Sequence, residues 1–324
     1  MNFTCVNNST GALEGFCLVK TVEQKTNVKG QAFLDLTLMD AGGEVNAKLW
    51  DYKPETHGTV SMNDLVKVRG TLSVYNGQDQ FRVERLRRAT DKDTVRMEDF
   101  VPSAPRPGEE MLAEIREAVE AFQNEPLKQM LLSILAEKEE QLLFWPAAFR
   151  LHHAVRGGLL WHTLSILKLA QAVAALYEEI NADLLFTGVI LHDIDKTNEY
   201  DVPATGLATG YTLKGNLVGH LVGGAVYIEQ KAKEADLPQE TLLLLQHMLI
   251  SHHGEPEFGA AMRPMFLEAE ILSELDLLDA RVNEIAIAMQ GVQPGEFSNK
   301  IWALDNRKFY RPKTPPASCG GTPL

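Results

Sequence analysis

A chain of 324 residues, 45% apolar and 23% charged, has the composition of an ordinary globular protein and the length of two domains. No stretch approaches the roughly 18 uninterrupted apolar residues of a membrane span, and MNFTCVNNST lacks the basic and apolar regions of a secretory leader, so a cytoplasmic protein with no membrane partner is expected. The net charge of −13 would argue against a nucleic-acid partner, but it is unevenly spread: residues 1–90 hold eleven Lys and Arg against ten Asp and Glu, and residues 91–324 hold 20 against 34.

Residues 13–89 carry the period of strands: LEGFCLVKTVEQ, QAFLDLTLMD, EVNAKLWDY, DLVKVRGTLSVY and DQFRVERLRR, with alternation strongest in FLDLTLMD and FRVERL. Gly42-Gly43 and Asn76-Gly77 fall where hairpin turns need positive φ. Five short strands at this spacing predict a small OB-like β-barrel over residues 1–90. Cys5, Cys17 and Cys319 are few, odd in number and not spaced as metal ligands, which suits a reducing compartment.

Residues 91–108 have no period and three prolines, the marks of a linker. From Met111 the pattern is helical, with Pro126 placed for a first turn, and an all-α domain is expected over residues 109–308. Residues 309–324, ending in RPKTPPASCGGTPL, are expected to be disordered.

Eight of the nine histidines lie between His152 and His253, inside the helical part. One histidine on a helix is ordinarily a satisfied surface or core residue, and His57 and His247 fit that description; eight within about a hundred residues do not. His162 begins an apolar helix face; His192 and Asp193 end the helix DLLFTGVIL; His220 sits among small residues in GNLVGHLVGGAVYI. His252 and His253 end another helix, and Asp276 and Asp279 interrupt the leucine-rich EILSELDLLDARV. A buried carboxylate needs a partner, and several helices each presenting an imidazole or carboxylate point to a metal centre. Imidazole and carboxylate without thiolate suit Mn²⁺, Fe²⁺, Co²⁺, Ni²⁺ or Zn²⁺. More ligands are available than one ion needs, and Asp193 could bridge two. Two ions suit hydrolysis of a phosphate ester.

The order His162, His192-Asp193, His220, His252, Asp276 resembles the HD-domain metal-dependent phosphohydrolases over roughly residues 145–290. With HHAVRGGLLWHTLSI, LHDIDKTNEY, GHLVGGAVYI, LISHHGEPEFG and LDLLDA joined to an OB-like barrel, the chain looks like the YhaM-type 3′ to 5′ exoribonucleases. The resemblance implies an all-α HD domain after the barrel, divalent ions, two in number by the family's pattern and Mn²⁺ by preference, and single-stranded RNA or DNA as partner. It places His162, His192, Asp193 and Asp276 in a basic metal set, with His220, His252 and His253 on a second-metal side. Asp276 is preferred to Asp279, which lies three residues on and nearly on the same helix face, because the first Asp of the family's ending is the ligand. Lys196 stands where many HD proteins read HDIGK and could neutralise a phosphate oxygen; Asp195 replaces the glycine of that pattern. Arg156, with its planar fork, is the candidate phosphate contact. Asp193, Lys196 and Arg156 are thus the expected catalytic positions, and His152 and His153 could meet the leaving nucleotide or cap a helix.

In the barrel, Trp50 and Tyr75 are candidates for stacking on bases and Lys48, Arg69, Arg82 and Arg85 for contacting phosphates, while Phe33 is expected in the core. The resemblance implies hydrolysis of a strand from its 3′ end to nucleoside 5′-monophosphates, and relatives suggest a homo-oligomer, for which the apolar C-terminal helices could supply an interface. Two alternatives stand beside it. A phosphohydrolase of small nucleotides, with the barrel regulatory, would turn over mononucleotides. A non-enzymatic single-strand-binding protein would have a closed, structural metal site.

Overall fold

The computed structural model describes residues 4–7, 12–40, 43–75, 78–90, 92–150 and 153–314. Gly42, Asn76, Gly77 and His152 lie outside that set. Two compact units divide the chain, Met1–Pro102 and Ser103–Leu324.

The first unit contains β1 (Thr4–Asn7), β2 (Ala12–Thr26), β3 (Ala32–Asp40), β4 (Gly43–Leu49), the short helix α1 (Pro54–His57), β5 (Leu65–Tyr75) and β6 (Gln78–Arg88). Alternation builds the barrel. Leu34, Leu36 and Leu38 of β3 are buried with Val45, Ala47 and Leu49 of β4, while Asp35 and Thr37 between them are not. Strand β2 is long enough to pair with β3 and, through Ala12–Leu18, with β5. Strands β3 and β4, and β5 and β6, pair antiparallel, and β4 pairs parallel with β6. The ring therefore closes as β2-β3-β4-β6-β5-β2, the strand order of an OB barrel.

Two details depart from simple alternation. The register of β6 slips opposite Arg69 and Gly70, so that Phe81, Val83 and then Leu86 face the core and Arg85 stays outside. Strand β1, which pairs with β2 at the edge, was not expected from the sequence. Cys17 is enclosed in the barrel, and burial pushes its thiol up to about 12, so no reactive thiolate forms there.

The span expected as a linker is shared between the units. In the first, Arg87 donates twice to the Asp93 carboxylate. In the second, the Ala104 amide donates to Arg156 O at 2.8 Å.

The second unit is helical: α2 (Gly108–Glu120), α3 (Glu125–Glu137), α4 (Glu139–Leu142), α5 (Gly158–Ala174), α6 (Ala182–Leu191), α7 (Lys196–Glu199), α8 (Leu213–Leu217), α9 (Gly219–Glu234), α10 (Gln239–Ser251) and α11 (Leu267–Met289), with the hairpin β7 (Tyr200–Asp201) and β8 (Gly210–Tyr211) before α8. Asn124 and Asn181 cap α3 and α6 through their side-chain oxygens, and Asp183 accepts the amides of Gln123 and Asn124, tying the two helix starts together. Helix α6 is apolar nearly all round and lies in one core with Leu131 and Ile134 of α3, Leu164 and Ile166 of α5, Leu249 of α10 and Leu272 of α11. A packed core of this kind fixes helix ends as firmly as helix centres, and His192 and His252 sit at two of those ends.

The expectation of disorder from residue 309 is corrected for its first residues. Phe309 and Arg311 exchange backbone or side-chain hydrogen bonds with Glu296 and Ser298, because residues 296–298 run antiparallel to them at an isolated bridge between Phe297 and Tyr310. Residues 315–324 lie outside the described residues. Among the described residues, no helix is long and apolar enough to cross a membrane.

Candidate metal centre

Five helices converge on one buried carboxylate. His162 projects from the first turns of α5, His192 caps the C-terminus of α6, His220 begins α9, His252 caps the C-terminus of α10, and Asp276 and Asp279 lie on α11. Asp193 follows the α6 cap. Its Oδ2 lies 3.3 Å from His192 Nε2 and 3.8 Å from His162 Nε2, and its Oδ1 lies 3.4 Å from His220 Nε2 and 3.6 Å from His252 Nε2. One carboxylate thus stands between two histidine pairs.

Each imidazole is oriented from behind. His192 Nδ1 lies 2.7 Å from Val189 O, and His252 Nδ1 lies 2.8 Å from Leu249 O, the same bond made at two helix ends. His220 Nδ1 meets Glu199 Oε1 at 3.0 Å, and His162 Nδ1 meets Asp279 Oδ2 at 2.8 Å. Carbonyls and carboxylates accept, so each Nδ1 donates and each Nε2 is left to face Asp193. Asp193 Oδ1, His220 Nε2 and His252 Nε2 are buried without a hydrogen-bond partner among the described residues. Such atoms are costly unless a cation meets them.

Two overlapping groups result. His162, His192 and Asp193 Oδ2 are joined by Asp276, whose Oδ1 is 3.1 Å from His162 Nε2. His220 and His252 with Asp193 Oδ1 are joined by His253, whose Nδ1 is held by Phe258 O at 3.0 Å. The donor set, imidazole and carboxylate without thiolate, fits a divalent cation of borderline hardness. Asp276 and His253 are only partly buried, so the cluster is open on their side, as a catalytic site requires and a structural one does not.

Charge within the centre is set by burial working against close ion pairs. Burial disfavours charge on His162, but Asp276 and Asp279 on its two nitrogens raise its pKa to about 9. Burial alone would raise Asp193, yet Lys196 and His192 hold it well below the ordinary carboxylate range. Burial, with His252 and His220 as neighbours, pushes His253 down to about 3, leaving a neutral imidazole suited to ligation. Lys196 Nζ donates to Asp193 Oδ2 at 2.6 Å; burial opposes its charge, but Asp193 keeps it above the usual lysine value.

Tertiary packing assigns places to residues that sequence reasoning left open. Asp276 meets the Nε2 side of His162, and Asp279 the Nδ1 side. Asp279 also receives His153 Nε2 at 2.9 Å, so His153 is a buried support. Glu199, unassigned within LHDIDKTNEY, holds both the ring and the backbone amide of His220; an acidic residue seven after a metal-type histidine was its only sequence signal. Asp195 is balanced by Lys214, 3.0 Å away, and a Cβ on Gly223 would overlap its Oδ2, which explains why α9 carries glycine there. Arg156 is held by other partners: it donates to Ala204 O at 2.9 Å and lies over the Phe144 ring.

On the barrel, Lys48, Arg69, Arg82 and Arg85 alternate with core residues and therefore point outward. Arg69 stands directly opposite Arg85, and Arg82 is the register partner of Lys48. Like charges opposed across a ladder are unfavourable unless something else compensates. Lys67, Arg87 and Arg88 pair with Glu14, Asp93 and Asp64, whereas Arg69, Arg82 and Arg85 have no ion-pair partner among the described residues. Trp50 is half-buried and packs on Phe33, with ring centres 4.6 Å apart, and Lys48 reaches over that ring. The side chain of Tyr75 lies outside what is described.

Residues 159–281 match the HD domain family. The 3′-5′ exoribonuclease YhaM of Geobacillus sp. (strain WCH70) is 39% identical over 92% of this chain and 91% of its own. That of Bacillus subtilis (strain 168) is 36% identical over 93% of this chain and 95% of its own. Among solved structures, the single-stranded DNA binding protein of Thermus aquaticus is 21% identical over 26% of this chain and 42% of its own, with a TM-score of 0.22; the barrel assignment rests on strand order instead. With an HD domain, an OB barrel and this similarity along nearly its whole length, the chain belongs to the YhaM family of 3′-5′ exoribonucleases.

Proposed function

We propose that this protein removes nucleotides one at a time from the 3′ end of single-stranded RNA in the cytoplasm, releasing nucleoside 5′-monophosphates, with the barrel holding the strand and the helical unit cutting it. The observation that carries the proposal is the Asp193 carboxylate set between two pairs of imidazoles, all four with Nε2 directed at it. His162, His192, Asp193 and Asp276 would hold one ion and His220, His252, His253 and Asp193 the other, Mn²⁺ being preferred. Such ions, when bound, supply Lewis-acid activation of water and stabilisation of charge on phosphate.

The chain's own residues do the rest. Val189, Leu249, Glu199 and Asp279 lock the ring tautomers, so ligand geometry is set before an ion arrives. Lys196, buried beside Asp193, offers its remaining N–H donors to a phosphate oxygen. Arg82 and Arg85, with no ion-pair partner among the described residues, track the strand's backbone together with Arg69 and Lys48, and Trp50 offers a ring to a base; DNA of the same form would be held by the same contacts. The exposed Leu278, Val282 and Ile287 of α11 favour self-association through that helix.

The test incubates the protein with Mn²⁺ and a 5′-labelled single-stranded RNA, beside the same strand blocked at its 3′ end. A ladder shortening from the free 3′ end is expected, abolished by EDTA, by the block and by the double variant His192→Ala, Asp193→Ala in folded protein. An intact strand accompanied by turnover of mononucleotides would replace this proposal with a small-nucleotide phosphohydrolase.

A further inference from the structure

The β7–β8 hairpin joins the metal centre to a group of aromatic rings that the centre itself does not use. Tyr200 follows Glu199 directly and is buried; its register partner Tyr211 is 44% exposed. Their ring centres are 5.2 Å apart at 69°. On its other side Tyr211 lies 5.7 Å from Phe149, over whose ring the Arg150 guanidinium sits at 5.0 Å.

The group is connected to the His220 side of the centre, and Phe149 lies on the segment leading to His153. Thr212, next to Tyr211, donates its amide to Glu199 O at 2.9 Å, and the Glu199 carboxylate holds His220. Phe149 precedes by four residues His153, which is hydrogen-bonded to Asp279 behind His162. The rings are therefore tied through Thr212 and Glu199 to His220.

We propose that Tyr211, Phe149 and Arg150 form a stacking subsite for the nucleobase at the 3′ end of the strand. The inference rests on the exoribonuclease reading of the adjoining centre and adds to it a place for the base, which the metal ligands cannot grip. An exposed ring held edge-on by a buried one is rigid and keeps apolar surface in water, the combination that base stacking rewards in a sequence-tolerant way. Arg150 places a cation over the neighbouring ring, where a base or a phosphate can meet it. Leu213 and Leu217 nearby are also exposed, but a surface for a protein partner would not need rings and a guanidinium beside a phosphate-cleaving centre.

The experiment compares wild type, Tyr211→Ala, Tyr211→Leu and Tyr211→Phe on an RNA strand and on the same strand with an abasic 3′-terminal nucleotide. Tyr211→Ala and Tyr211→Leu are expected to lower kcat/KM on the intact strand by roughly 5- to 150-fold and to leave the abasic strand cleaved at the wild-type rate. Tyr211→Phe is expected to match wild type on both, and melting temperature and Mn²⁺ stoichiometry to stay unchanged in Tyr211→Leu. Equal losses on the two strands, or none on either, would overturn the subsite. Quenching of a 3′-terminal 2-aminopurine, measured in EDTA, reads the same contact without turnover. If the wild type cleaves neither strand, the exoribonuclease reading fails, and quenching by wild type but not by Tyr211→Leu still decides the subsite; quenching by both, or by neither, overturns it.

Discussion

Glu199 holds His220 at two points, taking the ring Nδ1 at 3.0 Å and the backbone amide at 3.2 Å on the same oxygen. Burial would raise the Glu199 pKa, but His220 keeps it below the ordinary value, so the carboxylate stays charged and raises the basicity of the imidazole it orients. Glu199→Ala is expected to weaken one of two Mn²⁺-binding events by roughly 10- to 100-fold while sparing the other. Calorimetric titration of Mn²⁺ reads this directly; two events weakened equally would remove Glu199 from its place behind one ion.

Asp276 and Asp279 differ in the side of His162 that they meet. Asp276→Ala is expected to abolish one Mn²⁺-binding event and RNA hydrolysis with it. Asp279→Asn, acting through His162 and His153, is expected to weaken that event only by roughly 10- to 100-fold. The comparison is made by metal content after gel filtration and by activity at saturating Mn²⁺, where Asp279→Asn recovers and Asp276→Ala does not. The reverse pattern would exchange their roles.

Asp193 and Lys196 form a buried ion pair at 2.6 Å. Removing one partner strands the other charge in the core. In EDTA, Asp193→Ala is expected to cost about 3–5 kcal/mol, and the double variant Asp193→Ala, Lys196→Met clearly less. Denaturant midpoints of the helical unit provide the test; additive losses would show that the two charges do not depend on each other.

On the barrel, Asp35 accepts from Lys25, Asn46 and Lys48. Burial opposes its charge, yet these partners hold its pKa at about 2, against 3.8 for the free side chain. A depressed native pKa contributes stability that is full above about 3.8 and is lost as pH falls through about 2. Urea midpoints at pH 5, 3 and 2, followed by the β-sheet circular dichroism signal, should therefore decline more steeply in wild type than in Asp35→Asn. Parallel declines would rule out this carboxylate as the source.

The chemistry available and much of the scaffold were legible in the order of the residues. Period-two alternation in FLDLTLMD placed Leu34, Leu36 and Leu38 inside a barrel because strand geometry is local, and the apolar run before His192 placed an imidazole and a carboxylate at a helix end for the same reason. It did not reveal β1, whose pairing with β2 depends on an edge left by barrel closure, nor the slip that turns Leu86 inward. Within the centre, His162 and Asp276 are more than a hundred residues apart, and Asp276 and Asp279 share a helix face, so nothing local distinguishes which oxygen meets Nε2 and which meets Nδ1. Packing α5 against α11 decided that. Contacts equally remote in sequence made His153 a support for Asp279, put Glu199 of α7 behind His220 of α9 and tied Arg156 to Ala204, because a side chain's role in a buried polar cluster is set by which atom of which neighbour it meets across the core.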